Sequence, residues 1–513
     1  MKKNESGLLG NIRQTAKQTA IYSIGNLSTK LIGFILLPIY TSRLTTGDYG
    51  ILAYMEVTSL FLIAILSFGL PTGILRYCSS DRKEQTGEIV FTVYIFAFFV
   101  SLLTLLPLLI FRIKLSEMLL NDRSYVMLIN LLLCIIPLEI FNNLTLSVIR
   151  LREKSGMYVF LFVTKFLISL VLNIYFIIGR NMKVEGILLS QLISALVVIL
   201  LSLYFLSRNM TFRLRLDILK DMLRYSFPLI FTTLSSLALA MSDRYIIEYF
   251  IDFSELGVYS LGVKFAGLIN VFVLQSFQLG YLPIAFKIYN QLDARPFFTK
   301  VMTYLVLALI LTSLAVSMFS KEVIIVMSRK NPDFWRAIIL IPILCLGHVF
   351  KGIQYLFSLS VHYVKKTRIN AYILIFTALL NIGINLIIVK PFGIFGASVS
   401  TVFAYAVGSV IFYFYSQKYY PLTYEWKRIA MIFGTGIILF LISYFLMRKL
   451  SYLNFFLKII LLLIYPVLLY LLGFYHKVEM ERIRQFWRKW KNIYNLRENI
   501  SSLNKADETL LDN

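Results

Sequence analysis

Met241–Lys264 reads MSDRYIIEYFIDFSELGVYSLGVK. Asp243 and Arg244 stand side by side inside an otherwise apolar run. A short acidic turn follows, with Asp252 and Glu255 ahead of Gly257, and a second apolar run then opens and carries Lys264. An ionised side chain near the centre of a bilayer costs about 3 kcal/mol on insertion scales. Such charges are retained where they face a partner or a wet cavity. What Asp243, Arg244 and Lys264 face therefore decides how this chain is built.

The surroundings support a bilayer. The chain has 513 residues, 58% hydrophobic and 15% charged, with a mean hydropathy of +0.75. That composition belongs to an all-α polytopic membrane protein. The polar, basic start, MKKNESGLLGNIRQTAKQ, lacks a small-residue cleavage site and is not read as a removable signal peptide. Cys78, Cys134 and Cys345 are far apart, and His348, His362 and His476 form no ligand cluster, so neither a disulfide framework nor a metal centre is expected. No G-x-x-x-x-G-K-[ST] loop is present, so ATP hydrolysis is not expected, and the chain is not read as an enzyme. The net charge of +24 is concentrated in alternate loops. That is the positive-inside pattern rather than a nucleic-acid groove, and it puts both termini in the cytoplasm.

A span needs about 20 apolar residues, and about fourteen such runs are present. They are 19–41, 51–71, 87–111, 126–149, 157–178, 185–206, 227–250, 257–283, 298–320, 336–360, 370–389, 394–416, 430–447 and 453–474. The expected organisation is an N-lobe over 1–206 and a linker over 207–226 whose apolar residues (Leu214, Leu216, Ile218, Leu219, Met222, Leu223) sit at helical spacing. A C-lobe over 227–416 follows, then two further spans over 417–475 and a basic cytoplasmic tail over 476–513. Linker and tail both read as amphipathic helices on the inner surface.

The chain also repeats itself at a period of about 210 residues. Asp48-Tyr49-Gly50-Ile51 echoes Glu255-Leu256-Gly257-Val258, Asn173 matches Asn385, and Glu185-Gly186-Ile187 matches Phe395-Gly396-Ala397. The basic loops 150–154 and 362–368 align as well. An offset of six spans is even, so the halves share orientation about an axis along the membrane normal.

The ionisable residues within spans are Lys30, Glu56, Glu139, Lys165, Asp243, Arg244, Glu248, Lys264, Lys351 and Lys458. Arg244 and Lys264 lie at similar depth, about 10 Å below one surface at the helical rise. Together with Lys30 and Lys351 they suggest a basic, water-filled interior. The blander readings stand beside that one. Arg244 and Glu248, four apart, can form a structural pair, with Asp243 pointing elsewhere. Lys264 can snorkel. Lys165 and Lys458 read as interfacial. Glu56 and Glu139 are either counterions or carriers of a coupling proton.

Two stretches carry a family resemblance. Leu37-Pro38-Ile39-Tyr40-Thr41-Ser42-Arg43-Leu44 followed by Asp48-Tyr49-Gly50-Ile51-Leu52-Ala53 resembles the first-loop signature of polysaccharide flippases. Asp243-Arg244-Tyr245-Ile246-Ile247 followed by Glu255-Leu256-Gly257-Val258-Tyr259 and Lys264 resembles the seventh and eighth spans of the same family. These are O-antigen and capsule repeat-unit translocases of the multidrug/oligosaccharidyl-lipid/polysaccharide exporter superfamily. The resemblance implies two six-helix lobes around a central cavity, plus two C-terminal helices. It also implies a cargo, a lipid-linked oligosaccharide on polyprenyl pyrophosphate, flipped from the inner to the outer leaflet of the cell inner (cytoplasmic) membrane. Lys30, Arg244, Lys264 and Lys351 would then bind the cargo, and Glu56, Glu139, Asp243 and Glu248 would be coupling or counterion residues. No cofactor is implied beyond a coupling H+ or Na+. Partners would be membrane lipids, a polysaccharide polymerase and glycosyltransferases, with no nucleic acid. A lipid II flippase is the alternative, although Lys30 is the only cation in its span. A cation-coupled drug antiporter of the same fold is another, and it would want an acidic cavity.

Overall fold

A computed structural model of the chain describes residues 34–79, 85–291, 294–446, 451–476 and 479–481, and every regular element among these residues is helical. In hydrocarbon each backbone N–H and C=O must be satisfied within the protein, and a helix does this within one segment. The helices are α1 (Leu37–Arg43), α2 (Thr46–Leu66), α3 (Leu70–Ser79), α4 (Thr86–Ile110), α5 (Arg112–Leu120), α6 (Val126–Leu151), α7 (Ser155–Ile174) and α8 (Val184–Asn209). They continue as α9 (Leu216–Met241), α10 (Asp243–Phe250), α11 (Phe253–Ile269), α12 (Ser276–Ile288), α13 (Ala294–Met327), α14 (Ile341–Tyr363), α15 (Thr367–Tyr419), α16 (Trp426–Leu446) and α17 (Tyr452–Leu471).

Among the described residues, twelve helical stretches are long and apolar enough to cross a membrane. One of them, α15, is two spans in sequence, broken by Pro391 and by Gly393 at φ +60°. The breakpoint matches the expected gap between runs 370–389 and 394–416. The first expected span, 19–41, lies mostly outside the described residues, which begin near its end with α1. The expected tail helix also lies largely outside them.

The repeat is visible in backbone detail. Helices α7 and α15 begin at Ser155 and Thr367, each after a basic turn with one left-handed residue, Glu153 (φ +55°) and Lys365 (φ +57°). In both turns an amide reaches back five residues, Lys154 to Ile149 at 3.1 Å and Lys366 to Val361 at 3.2 Å. The matched Asp48 and Glu255 stretches are helix starts. Thr45 and Asp48 form a reciprocal capping box on α2, and the Asp252 side chain accepts from the Glu255 amide on α11.

The linker differs from expectation. Residues 210–215 are non-helical, and Leu216–Arg224 forms the opening turns of the spanning helix α9 rather than a separate surface helix. The cause is burial: Ile218, Leu219 and Met222 pack inside the bundle, and Tyr77 on α3 donates to the Asp221 carbonyl at 3.0 Å. Of two π-helical segments, Tyr175–Gly179 closes the span that carries α7, and Asn270–Gln275 interrupts the span that carries α11 and α12.

The chain forms two compact units, Met1–Tyr424 and Glu425–Asn513. In the second unit, Tyr465 donates to the Ile432 carbonyl at 3.0 Å. Arg428 is held by Glu425 and Glu479, each at 2.9 Å, with its guanidinium 4.3 Å from the Phe474 ring centroid. Lys458, expected at the interface, is instead 3% exposed within α17.

Candidate functional site

In the first half, α6, α7 and α8 enclose a cavity of about 420 Å³. Glu139 on α6 accepts from the Lys165 ammonium at 2.5 and 2.8 Å. Asn142, Asn143, Ser169, Gln191 and Ser194 supply amides and hydroxyls, and Phe162 and Phe166 supply ring faces. Lys165 is therefore a mid-bundle partner and not an interfacial residue. The Asn142 amide nitrogen donates to the Ala195 carbonyl at 3.4 Å. Its buried Oδ1 has no hydrogen-bond partner.

In the second half, a cavity of about 300 Å³ is lined from α9, α12, α14 and α15 by Ser236, Gln278, Lys351, Gln354, Tyr355, Ser358, His362 and Asn370, among others. The buried Nε2 of Gln354 and the hydroxyl of Tyr355 have no hydrogen-bond partner. A smaller void of about 60 Å³ adjoins Lys351, His348, Asp243, Tyr259, Thr401 and Tyr405.

Asp243 and Arg244 are buried, at 2% and 7% exposure. The Arg244 guanidinium donates to the Asp243 carboxylate at 3.0 Å and to the Ala240 carbonyl at 3.1 Å. The other carboxylate oxygen accepts from the Tyr259 hydroxyl. This corrects the helix-face pairing expected between Arg244 and Glu248. The backbone stays helical through Ser242, and the guanidinium turns back to the nearer acid. Glu248 instead accepts from the Asn121 side chain at 3.0 Å.

The halves meet at one end of the bundle. A Cβ built on Gly50 would lie 1.8 Å from the Phe253 carbonyl oxygen, and one on Gly257 would lie 1.9 Å from the Thr46 carbonyl oxygen. Only glycine permits that approach. The Thr46 and Ser254 hydroxyls are 2.6 Å apart, and Asn331 donates to the Leu44 carbonyl at 3.2 Å. One to two turns further along α2 and α11, the Lys264 ammonium lies 3.7 Å from Glu56 and 5.1 Å from the Tyr49 ring centroid. Both charged side chains stay about one-third exposed. Thr58 and Tyr245 also bridge the halves at 3.0 Å.

The structure thus brings together Glu56 with Lys264, and Asp243 with Arg244 and, across the small void, Lys351. Glu139 sits apart in the first cavity. Lys30 lies outside the described residues. Arg244, Lys264 and Lys165 each have a carboxylate neighbour, because lone charges in a bundle are costly, and Glu56 and Glu139 stand where counterions would. Sequence reasoning read Lys165 as interfacial and gave no site role to Tyr259, His348, Asn142 or Gln354. Extending the repeat register to Asn142 and Gln354 would have paired the last two.

A family model described as Polysaccharide biosynthesis protein matches residues 15–289, just over half of the chain. The Lsg locus putative protein 1 of Haemophilus influenzae is 29% identical over 286 residues, covering 54% of this chain and 67% of that protein. Among solved structures, a lipid II flippase MurJ in an inward closed conformation matches with a TM-score of 0.71 at 15% identity. The match covers 88% of this chain and 99% of that one. An inward-facing multidrug resistance MATE family transporter of the MOP superfamily matches with a TM-score of 0.62 at 17% identity, over 80% of this chain and 99% of that one. These two likenesses establish the fold.

Proposed function

The chain belongs to the polysaccharide biosynthesis protein family, and on that premise we propose that it is a flippase for a polyprenyl-pyrophosphate-linked oligosaccharide repeat unit. The cargo moves from the inner to the outer leaflet of the cytoplasmic membrane, with both termini of the protein in the cytoplasm. The observation that carries this reading is the pair of cavities, of about 420 and 300 Å³, each with amides, hydroxyls and a lysine on its wall, inside a bundle whose composition belongs in lipid. Amides, hydroxyls and aromatic faces suit sugars, and ammonium groups suit a pyrophosphate through charge-assisted hydrogen bonds. The lipid tail stays in the bilayer, so only the headgroup needs a polar route.

The glycine crossing supports alternating access. On this reading the end closed by Gly50 and Gly257 faces outward, and the headgroup enters from the cytoplasmic side. Parting of the two lobes there releases the cargo outward. Lys264 is the cation that can change partners, from Glu56 to a phosphate oxygen. A charge crossing the membrane potential is worth about 2.3 kcal/mol per 100 mV, so a doubly negative headgroup leaving a negative interior gains up to about 4.6 kcal/mol. Exchange against H+ or Na+ is the other drive. Protonation of Glu56, Glu139 or Asp243 would free the cation beside it. Among the described residues, the sole carboxylate lining either of these cavities, Glu139, is paired with Lys165, which favours this reading over a cation-drug antiporter.

Cells lacking the protein are the test. They should lose surface polymer and accumulate a lipid-linked repeat unit that a membrane-impermeant lectin cannot reach. Equal access of the lectin to that precursor with and without the protein would sink the proposal.

A further inference from the structure

The two large cavities occupy the same place in the two halves of the repeat. Glu139, Asn142, Asn143 and Leu146 line the first, and Lys351, Gln354, Tyr355 and Ser358 line the second, each pair separated by 212 residues. Phe162 and Leu374 keep the same separation. Duplication has therefore kept the positions and changed the chemistry.

The change has a direction. At one equivalent pair, Asn142 and Gln354, each cavity holds a buried amide with one unmet hydrogen-bonding atom. In the first cavity that atom is an acceptor, the Asn142 Oδ1, since the amide nitrogen already donates to the Ala195 carbonyl. In the second it is a donor, the Gln354 Nε2, beside the Tyr355 hydroxyl and the Lys351 ammonium. A buried polar atom without a partner costs about 1–3 kcal/mol, which a complementary ligand atom recovers. An ionised phosphate carries acceptors alone and can meet the second cavity's donors, but it has no hydrogen for Asn142 Oδ1. A sugar hydroxyl both donates and accepts. It can satisfy Asn142 Oδ1, while Phe162 and Phe166 offer faces to the C–H side of a ring.

We infer that the cavities divide one headgroup. The first, around Asn142 and Gln191, takes a neutral sugar ring, and the second, around Lys351, Gln354 and Tyr355, takes the pyrophosphate. The Glu139–Lys165 pair keeps the first cavity close to neutral, so it does not compete for the phosphates. This assignment rests on the flippase reading above.

Two probes separate the parts: the repeat unit released from the surface polysaccharide of the source cells by mild acid, and inorganic pyrophosphate. Their binding to the full-length protein in detergent is followed by saturation-transfer NMR and by calorimetry. Asn142→Leu should weaken the oligosaccharide about tenfold and leave pyrophosphate unchanged, and Gln354→Leu should do the reverse. Asn143→Ala and Tyr355→Phe touch the same cavities from half-buried positions, and they replace any leucine variant whose thermal midpoint collapses. If Asn142→Leu weakens pyrophosphate, or both probes alike, the division is wrong while the flippase reading stands. If the wild type binds neither probe, the cargo reading fails and takes the division with it.

Discussion

Gly50 and Gly257 each fill the place where the other helix would meet a side chain: a Cβ on either would fall within 2 Å of a carbonyl oxygen across the contact. Backbone cannot move aside as a flexible side chain can, so Gly50→Ala must part α2 from α11. The neighbouring Thr46 and Ser254 hydroxyls, 2.6 Å apart, report on it. In a background without Cys78, Cys134 and Cys345, the pair Thr46→Cys and Ser254→Cys should crosslink readily, and adding Gly50→Ala should cut the yield severalfold. Undiminished crosslinking with the alanine present would show that the helices do not rely on this approach.

Asp243 and Arg244 are fully enclosed, and removing one partner of a buried pair costs about 3–5 kcal/mol. Arg244→Ala should therefore lower protein abundance and thermal stability. Pairing it with Asp243→Asn should restore much of the loss, as a double-mutant cycle in detergent would show. Additive losses would mean that the two charges do not depend on each other. Loss of polymer in Arg244→Ala alone would say little about cargo contact.

Lys264 calls for the opposite expectation. Its partner Glu56 is 3.7 Å away and both are part-exposed, so Lys264→Gln should cost less than about 1 kcal/mol of stability. Surface polymer should nevertheless fall about tenfold or more, the size of effect expected when a charged hydrogen-bonding partner is lost. Normal polymer at normal abundance would remove Lys264 from the transport route.

Glu139 and Lys165 make two short hydrogen bonds but remain partly exposed at 21% and 29%. Glu139→Gln should destabilise by about 1–3 kcal/mol by stranding the ammonium. Glu139→Leu combined with Lys165→Met should recover most of it, read as the thermal midpoint of purified protein. If the double variant is worse than either single one, the pair does more than neutralise itself.

The spans and the repeat were legible in the sequence because lipid enforces length and apolarity, and because duplication preserved turn chemistry. The aligned basic loops indeed share a left-handed residue at the same place, Glu153 and Lys365. The motif around Gly50 and Gly257 was visible too, although its cause, helix caps beside a backbone contact, needed coordinates. Charge partners were the hard part. Arg244 had a candidate at helical spacing and took its sequence neighbour instead, while Glu248 went to Asn121. Lys165 and Glu139 are 26 residues apart on different helices, and no local pattern joins them. Asn142 and Gln354 differ in residue type, so the repeat register could pair them, but their shared place on a cavity wall needed the fold.

The π-helical turn at Asn270–Gln275 lies between Lys264, at the seam between the halves, and Gln278, on the wall of the second cavity. Such a turn holds one surplus residue, and each residue swings the azimuth of everything beyond it by about 100°. Where Gln278 points is thus a matter of phase, set by the surplus residue upstream of it. Deleting a single residue within 270–275 would unwind that phase and turn Gln278 out of the wall, with Lys264 left where it stands.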